Sequence, residues 1–128
     1  GFCEGDSVEC VRWSLSQVFA HGTPENFQRN GLVYAAVADD RKTACDRVRS
    51  VLATTLRGKH HRHNLELAGS RLDQAAVNDA FYADNADTAD RLISDEIIER
   101  HAAAGSPKMF RARNAAYHAA GLDNAVLA

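Results

Sequence analysis

Apolar residues recur at helical spacing along most of this chain. Over about residues 6 to 20, Val8, Val11, Leu15, Val18 and Phe19 share one face with Trp13 beside it, and this predicts a first helix. His21-Gly22 ends it, glycine being the ordinary helix stop. A second helix is predicted over about 24 to 38, burying Phe27, Leu32, Tyr34 and Val37. Gly31 inside it fits a close helix crossing, since glycine costs about 1 kcal/mol against alanine in a helix. A third covers about 43 to 56, with Cys45, Val48, Val51, Leu52 and Leu56 inward and Gly58 as its stop. A fourth covers about 61 to 81, with Leu65, Ala68, Leu72, Ala76 and Val77, before the polar turn Asp84-Asn85. A fifth runs over about 87 to 103 with Leu92, Ile93, Ile97 and Ile98. The last runs over 107 to 119 with Met109, Phe110 and Tyr117, and Gly121 leaves a short tail.

Pro24 and Pro107 follow Thr23 and Ser106 and suit the first position of a helix. Sustained alternation of Val, Ile and Thr is missing, as is a hairpin turn pair, so no strand is predicted. The expected fold is all-α: a single domain over residues 1 to 128, built of five to six helices as a globin-like or irregular bundle. No repeat, linker or low-complexity segment divides it.

Apolar residues are 45% and charged residues 25% of the chain, ordinary values for a globular protein. The net charge of −2 gives no basic field for nucleic acid. No run reaches transmembrane length, and no charged-then-apolar leader opens the chain. The start at Gly1 suggests a processed or trimmed terminus. Cys3, Cys10 and Cys45 are an odd set without a CxxC pair, which argues against a zinc or dithiol site. In an oxidising compartment one thiol would be left for a partner chain; in a reducing one all three could stay thiols.

Candidate chemistry lies in two histidine settings. Lys59-His60-His61-Arg62-His63 opens the fourth helix, and His101 follows Ile97-Ile98 on the inward face of the fifth. Two histidines from separate helices at one apolar pocket supply what a haem iron needs. A solvated helix start and a core histidine bonded to a carbonyl are the plainer readings. His60 and His63 are three apart, but nothing nearby completes a metal set. The carboxylate groups at Asp39-Asp40, Asp87/Asp90 and Asp95-Glu96-Glu99 read as solvated surface. A di-iron site needs Glu-x-x-His pairs, which are missing. No nucleophile elbow, phosphate-binding glycine loop or Cys/His dyad is evident, so an enzyme is not expected. Residues 94 to 119 can be drawn as helix-turn-helix with Lys108, Arg111 and Arg113 on the second helix. Asp95, Glu96 and Glu99 offset those cations, so DNA binding ranks below the other readings.

The order of short motifs resembles the extracellular globins of annelid worms. Cys3, Val11-Arg12, Gln17-Val18-Phe19 and Gly22 look like that family's N-terminal segment and first helix. Cys45-Asp46-Arg47-Val48 is similar to its Phe-x-Arg-Val turn, with Cys45 where the pocket Phe stands. His61 falls at the distal-histidine spacing, and His101 with Gly105 and Phe110 resembles the proximal histidine and the corner after it.

The resemblance implies an extracellular oxygen-carrier subunit with haem as cofactor. His101 would ligate the iron and His61 would bond the bound gas. Leu65, Cys45, Ile97 and Phe110 would line the pocket, and Cys3 or Cys10 could join neighbouring subunits of an oligomer. The rival reading is a cofactor-free helical subunit that binds a partner through one apolar face. Cys45 packed in a dry core would favour the rival.

Overall fold

The computed structural model describes residues 4–128. It is an α/β structure, and the all-α expectation is corrected. Helix α1 (Val8–Phe19) is followed by strands β1 (Asn30–Val33) and β2 (Ala35–Val37), where a second helix was expected. Then come α2 (Arg41–Leu56), a 3-10 turn (Lys59–His61), α3 (Arg62–Ala68), α4 (Gln74–Tyr82), α5 (Ala86–Arg91) and α6 (Asp95–His101). Strand β3 (Ala103–Gly105), helix α7 (Pro107–Ala119) and strand β4 (Asn124–Leu127) complete it.

The strands escape the sequence pattern for a physical reason. β1 and β2 are two halves of one extended run broken at Tyr34, and the apolar stretch Gly31–Ala38 shows no alternation. A parallel strand covered on both faces has none to show, and a short apolar run of this kind cannot be told from a buried helix. β3 is made of alanine and glycine, which local propensity assigns to helix or turn.

All pairings are parallel. β4 pairs with β1 in the register Gly31↔Ala125, and β3 pairs with β2 in the register Ala36↔Ala104. The Tyr34 carbonyl accepts from Ala103 N–H at 2.8 Å, whereas Ala35 N–H donates to the Ala128 carbonyl at 2.8 Å. Successive residues of a strand address opposite edges, so β3 and β4 flank the central run on its two sides.

The path from the central run to β3 passes through α2 to α6, and the path from β3 to β4 passes through α7. These connections travel in opposite directions. Right-handed crossovers then place their helices on opposite faces. The core obeys this. Tyr34, Ala36 and Ala104 pack with Leu52, Leu56 and Ile98 on one face. Val33 and Ala103 pack with Val11, Leu15 and Tyr117 on the other.

Local chemistry sets the helix starts. Ser7, Asp40, Asp73, Asn85, Ser94 and Ser106 each cap a helix through the side chain. Gly69 at φ +65° closes α3, which divides the expected fourth helix in two. Strand β3 intervenes between α6 and α7, so the helix-turn-helix drawing does not hold. Among the described residues no helix is long and apolar enough to cross a membrane.

Candidate functional site

Tyr34 marks the point where the central strand hands over from β4 to β3. Its side chain is on the α2 face and 7% exposed. Burial there leaves the phenol in need of a polar partner. Its hydroxyl donates to Glu4 Oε2 at 2.5 Å and lies 3.2 Å from Thr55 Oγ1, one turn before the end of α2. Burial, followed by the Glu4 contact, pushes the Tyr34 phenol above its ordinary pKa, so it keeps its proton.

Beyond Thr55, the 3-10 turn brings His60 and His61 alongside, their ring centroids 4.3 Å apart. Glu4, Thr54, Thr55, His60 and His61 line a groove of about 450 Å³. His61 is buried, and burial, with His60 beside it, holds its pKa below the ordinary imidazole value. The groove therefore presents two hydroxyls, a carboxylate and two imidazoles beside a protonated phenol: donors and acceptors without a fixed cation.

Behind the groove lies a buried polar network. Asn64 Oδ1 accepts from Ser7 N–H and Asn64 Nδ2 donates to the Gly5 carbonyl, both at 2.9 Å. His101 is fully buried, with Nδ1 2.9 Å from the Gly5 carbonyl and Nε2 2.9 Å from Ser70 Oγ. A carbonyl only accepts, so Nδ1 carries the ring proton and Nε2 accepts from the Ser70 hydroxyl. Burial pushes the His101 pKa down to about 4, with Arg113 and His61 adding to the effect.

The expected site residues are distributed as follows. His61 and His101 are both inward and close enough for their charges to interact. Both ring nitrogens of His101 are hydrogen-bonded within the protein, which leaves neither to ligate an iron. Cys45, Leu65 and Ile97 belong to the α2-side core. Phe110 packs on the opposite face of the sheet. Cys45 is fully buried in the cluster that holds Val48 and Leu52. Cys3 lies outside the described residues, and Cys10 is buried in α1. Among the described residues no group of three or more His, Cys, Asp or Glu side chains could hold a metal ion. Sequence reasoning passed over Glu4, Tyr34, Thr55, Asn64 and Ser70. The one available signal was Tyr34, a polar-tipped aromatic inside an otherwise aliphatic run.

Comparison with known proteins agrees with this architecture and overturns the globin resemblance. A family described as luciferase-like monooxygenase matches residues 14–124. A solved coenzyme F420-dependent tetrahydromethanopterin reductase from Methanopyrus kandleri superimposes with a TM-score of 0.79 at 16% identity. That alignment covers 96% of this chain and 37% of the reductase, so the chain spans little more than a third of its neighbour. No curated protein matches. The fold is a fragment of the TIM-barrel-type luciferase-like architecture. Haem, oxygen carriage and the absence of enzymatic character are corrected together, because nothing in these matches is a globin and the matched family is one of enzymes.

Proposed function

We propose that this chain, which belongs to the luciferase-like monooxygenase family, forms part of an oxidoreductase working with a flavin or a deazaflavin of the F420 type. The match over residues 14–124 carries the reading. The likeness to the F420-dependent reductase supports it at the level of fold.

We assign the ring portion of such a cofactor to the groove at the end of α2, next to the Tyr34 hydroxyl. At about 450 Å³ the groove lies within the size range of small-molecule sites. Its Thr54 and Thr55 hydroxyls and its His60 imidazole match the polar edge of a flat heterocycle. No Lys or Arg lines it, so an acidic cofactor tail is held elsewhere. When bound, the group supplies hydride transfer. Around it the protein's own residues bind and orient: Thr54, Thr55 and His60 hold the ring edge, Glu4 fixes the Tyr34 hydroxyl, and Tyr34 retains its proton at neutral pH.

Equilibrium titration of the purified protein with FMN and with F420, read by cofactor fluorescence, tests this. Saturable binding of one of them, weakened about tenfold or more by His60→Ala, is expected; tenfold corresponds to about 1.4 kcal/mol. Failure of both cofactors to bind at about 100 μM, a concentration equivalent to roughly −5.5 kcal/mol, overturns the reading. Binding that His60→Ala leaves unchanged overturns the assignment of the groove.

A further inference from the structure

The Ser70–His101 pair belongs to the buried network behind that groove, and neither residue lines the groove itself. Ser70 follows the left-handed Gly69 that ends α3, in the loop leading to the Asp73 cap of α4. It is half-buried and borders two clefts. One, of about 550 Å³, is lined by Arg62, Leu65 and Gln74; the other, of about 340 Å³, by Ser94, Glu96 and Ile97. Ser70 and Arg71 line both. Ser70 thus stands at the border that the two clefts share. Its hydroxyl donates to an imidazole nitrogen whose opposite nitrogen is anchored on a main-chain carbonyl. This meets the requirement for an activated nucleophile: a hydroxyl, a base in hydrogen-bond reach, and a third group orienting the base. Glu66 and Asp73 also line the larger cleft. Among the described residues neither Arg62 nor Arg71 takes part in an ion pair with a carboxylate.

We propose that Ser70 and His101 are a nucleophile and base that hydrolyse carboxylic esters whose acyl part carries a second, anionic group, which Arg71 recognises. Ser70 Oγ attacks the ester carbonyl carbon while its proton passes to His101 Nε2. The carbon–oxygen bond to the leaving group breaks, and the alkoxide takes that proton and departs as an alcohol. Water then attacks the acyl-serine, giving its proton to Nε2, which returns it to Ser70 as the acid leaves. The sum is ester plus water to acid plus alcohol, with no redox change. Burial keeps the imidazole neutral at neutral pH but also makes it a weaker base than a solvated histidine, so hydrolysis is expected to be slow.

The test uses mono-4-nitrophenyl succinate as the anionic ester and 4-nitrophenyl acetate as the neutral one, with mass spectrometry of the acylated protein. Expected are 4-nitrophenolate release and a succinyl adduct on Ser70. Ser70→Ala should abolish the adduct and lower the rate about 100-fold or more while the circular dichroism spectrum is unchanged. Arg71→Ala should raise KM for the succinate ester and not for the acetate. A hydrogen bond that only positions the 69–73 loop predicts no adduct. Absence of a Ser70 adduct on the unaltered protein, or an unchanged rate in Ser70→Ala, overturns the proposal.

Discussion

Asn64 and Ser7 stand 57 positions apart and are joined by one 2.9 Å hydrogen bond, from the Ser7 backbone N–H to Asn64 Oδ1. Ser7 is also the cap of α1, its hydroxyl accepting from Cys10 N–H at 3.1 Å. One asparagine on α3 thereby fixes where α1 begins. Its amide nitrogen meanwhile occupies the same Gly5 carbonyl that anchors His101.

Asn64→Ala leaves the Ser7 N–H and part of the Gly5 carbonyl buried without a partner. The expected cost is about 2–3 kcal/mol, since each unsatisfied buried group costs roughly 1–3. Urea unfolding followed by circular dichroism measures it. Amide exchange at Ser7 should quicken more than that of the α2 interior; equal acceleration throughout would show that the bond plays no local role.

Stability should fall in acid through His101. Its folded pKa is about 4 against an ordinary 6.5, so the unfolded chain binds its proton first. The contribution is complete above pH 6.5 and is lost as pH falls towards 4. At about 1.4 kcal/mol per pH unit over the interval from 6.5 to about 4, the loss is at most about 3.5 kcal/mol. Desolvation dominates the shift; Arg113 and His61 add to it, and the Gly5 carbonyl and Glu9 oppose it. Unfolding free energies between pH 4 and 7 should show this slope, and His101→Gln should flatten it.

Arg29 and Asp123 set the register of β1 and β4 from just before each strand. The Asp123 carboxylate accepts from Arg29 N–H at 2.9 Å and from Arg29 Nε at 2.8 Å. These contacts pull the Asp123 pKa down to about 2. Stability linked to it is present above pH 4 and is lost as pH falls through 2. Melting curves recorded between pH 2 and 5 should drop less steeply for Asp123→Asn than for the unaltered protein; parallel curves would count against the pairing.

Leu52 is fully buried in the α2 core, whereas Tyr82 is 84% exposed. Leu52→Ala should cost about 2–5 kcal/mol, and Tyr82→Ala should stay within about 0.5 kcal/mol. Chemical denaturation midpoints separate the two.

The Cys45 thiol is pushed above its ordinary pKa, chiefly by burial. A buried thiol is inert towards disulfide reagents. Cys45 should react with Ellman's reagent only after denaturation, as followed by mass spectrometry of the labelled peptides.

Sequence alone determined the local events. Ser106-Pro107 and the apolar spacing after it placed α7 over 107 to 119, as observed. The inward turn of Val8, Val11 and Leu15 on α1 and of His101 after Ile97-Ile98 was legible for the same reason: helical periodicity is written within a dozen neighbouring residues. Val18 and Phe19, expected on the same face of α1, are instead 38% and 45% exposed. Tertiary structure alone decided the sheet. The run from Asn30 to Val37 is extended because β3 and β4, some 70 and 90 residues on, satisfy its backbone from both edges while helices cover both faces. It also decided the chemistry. Tyr34 meets Glu4 and Thr55, and Ser70 meets His101, across 21 to 31 positions. Such meetings depend on how the elements pack, and the spacing of residues along the chain does not record it.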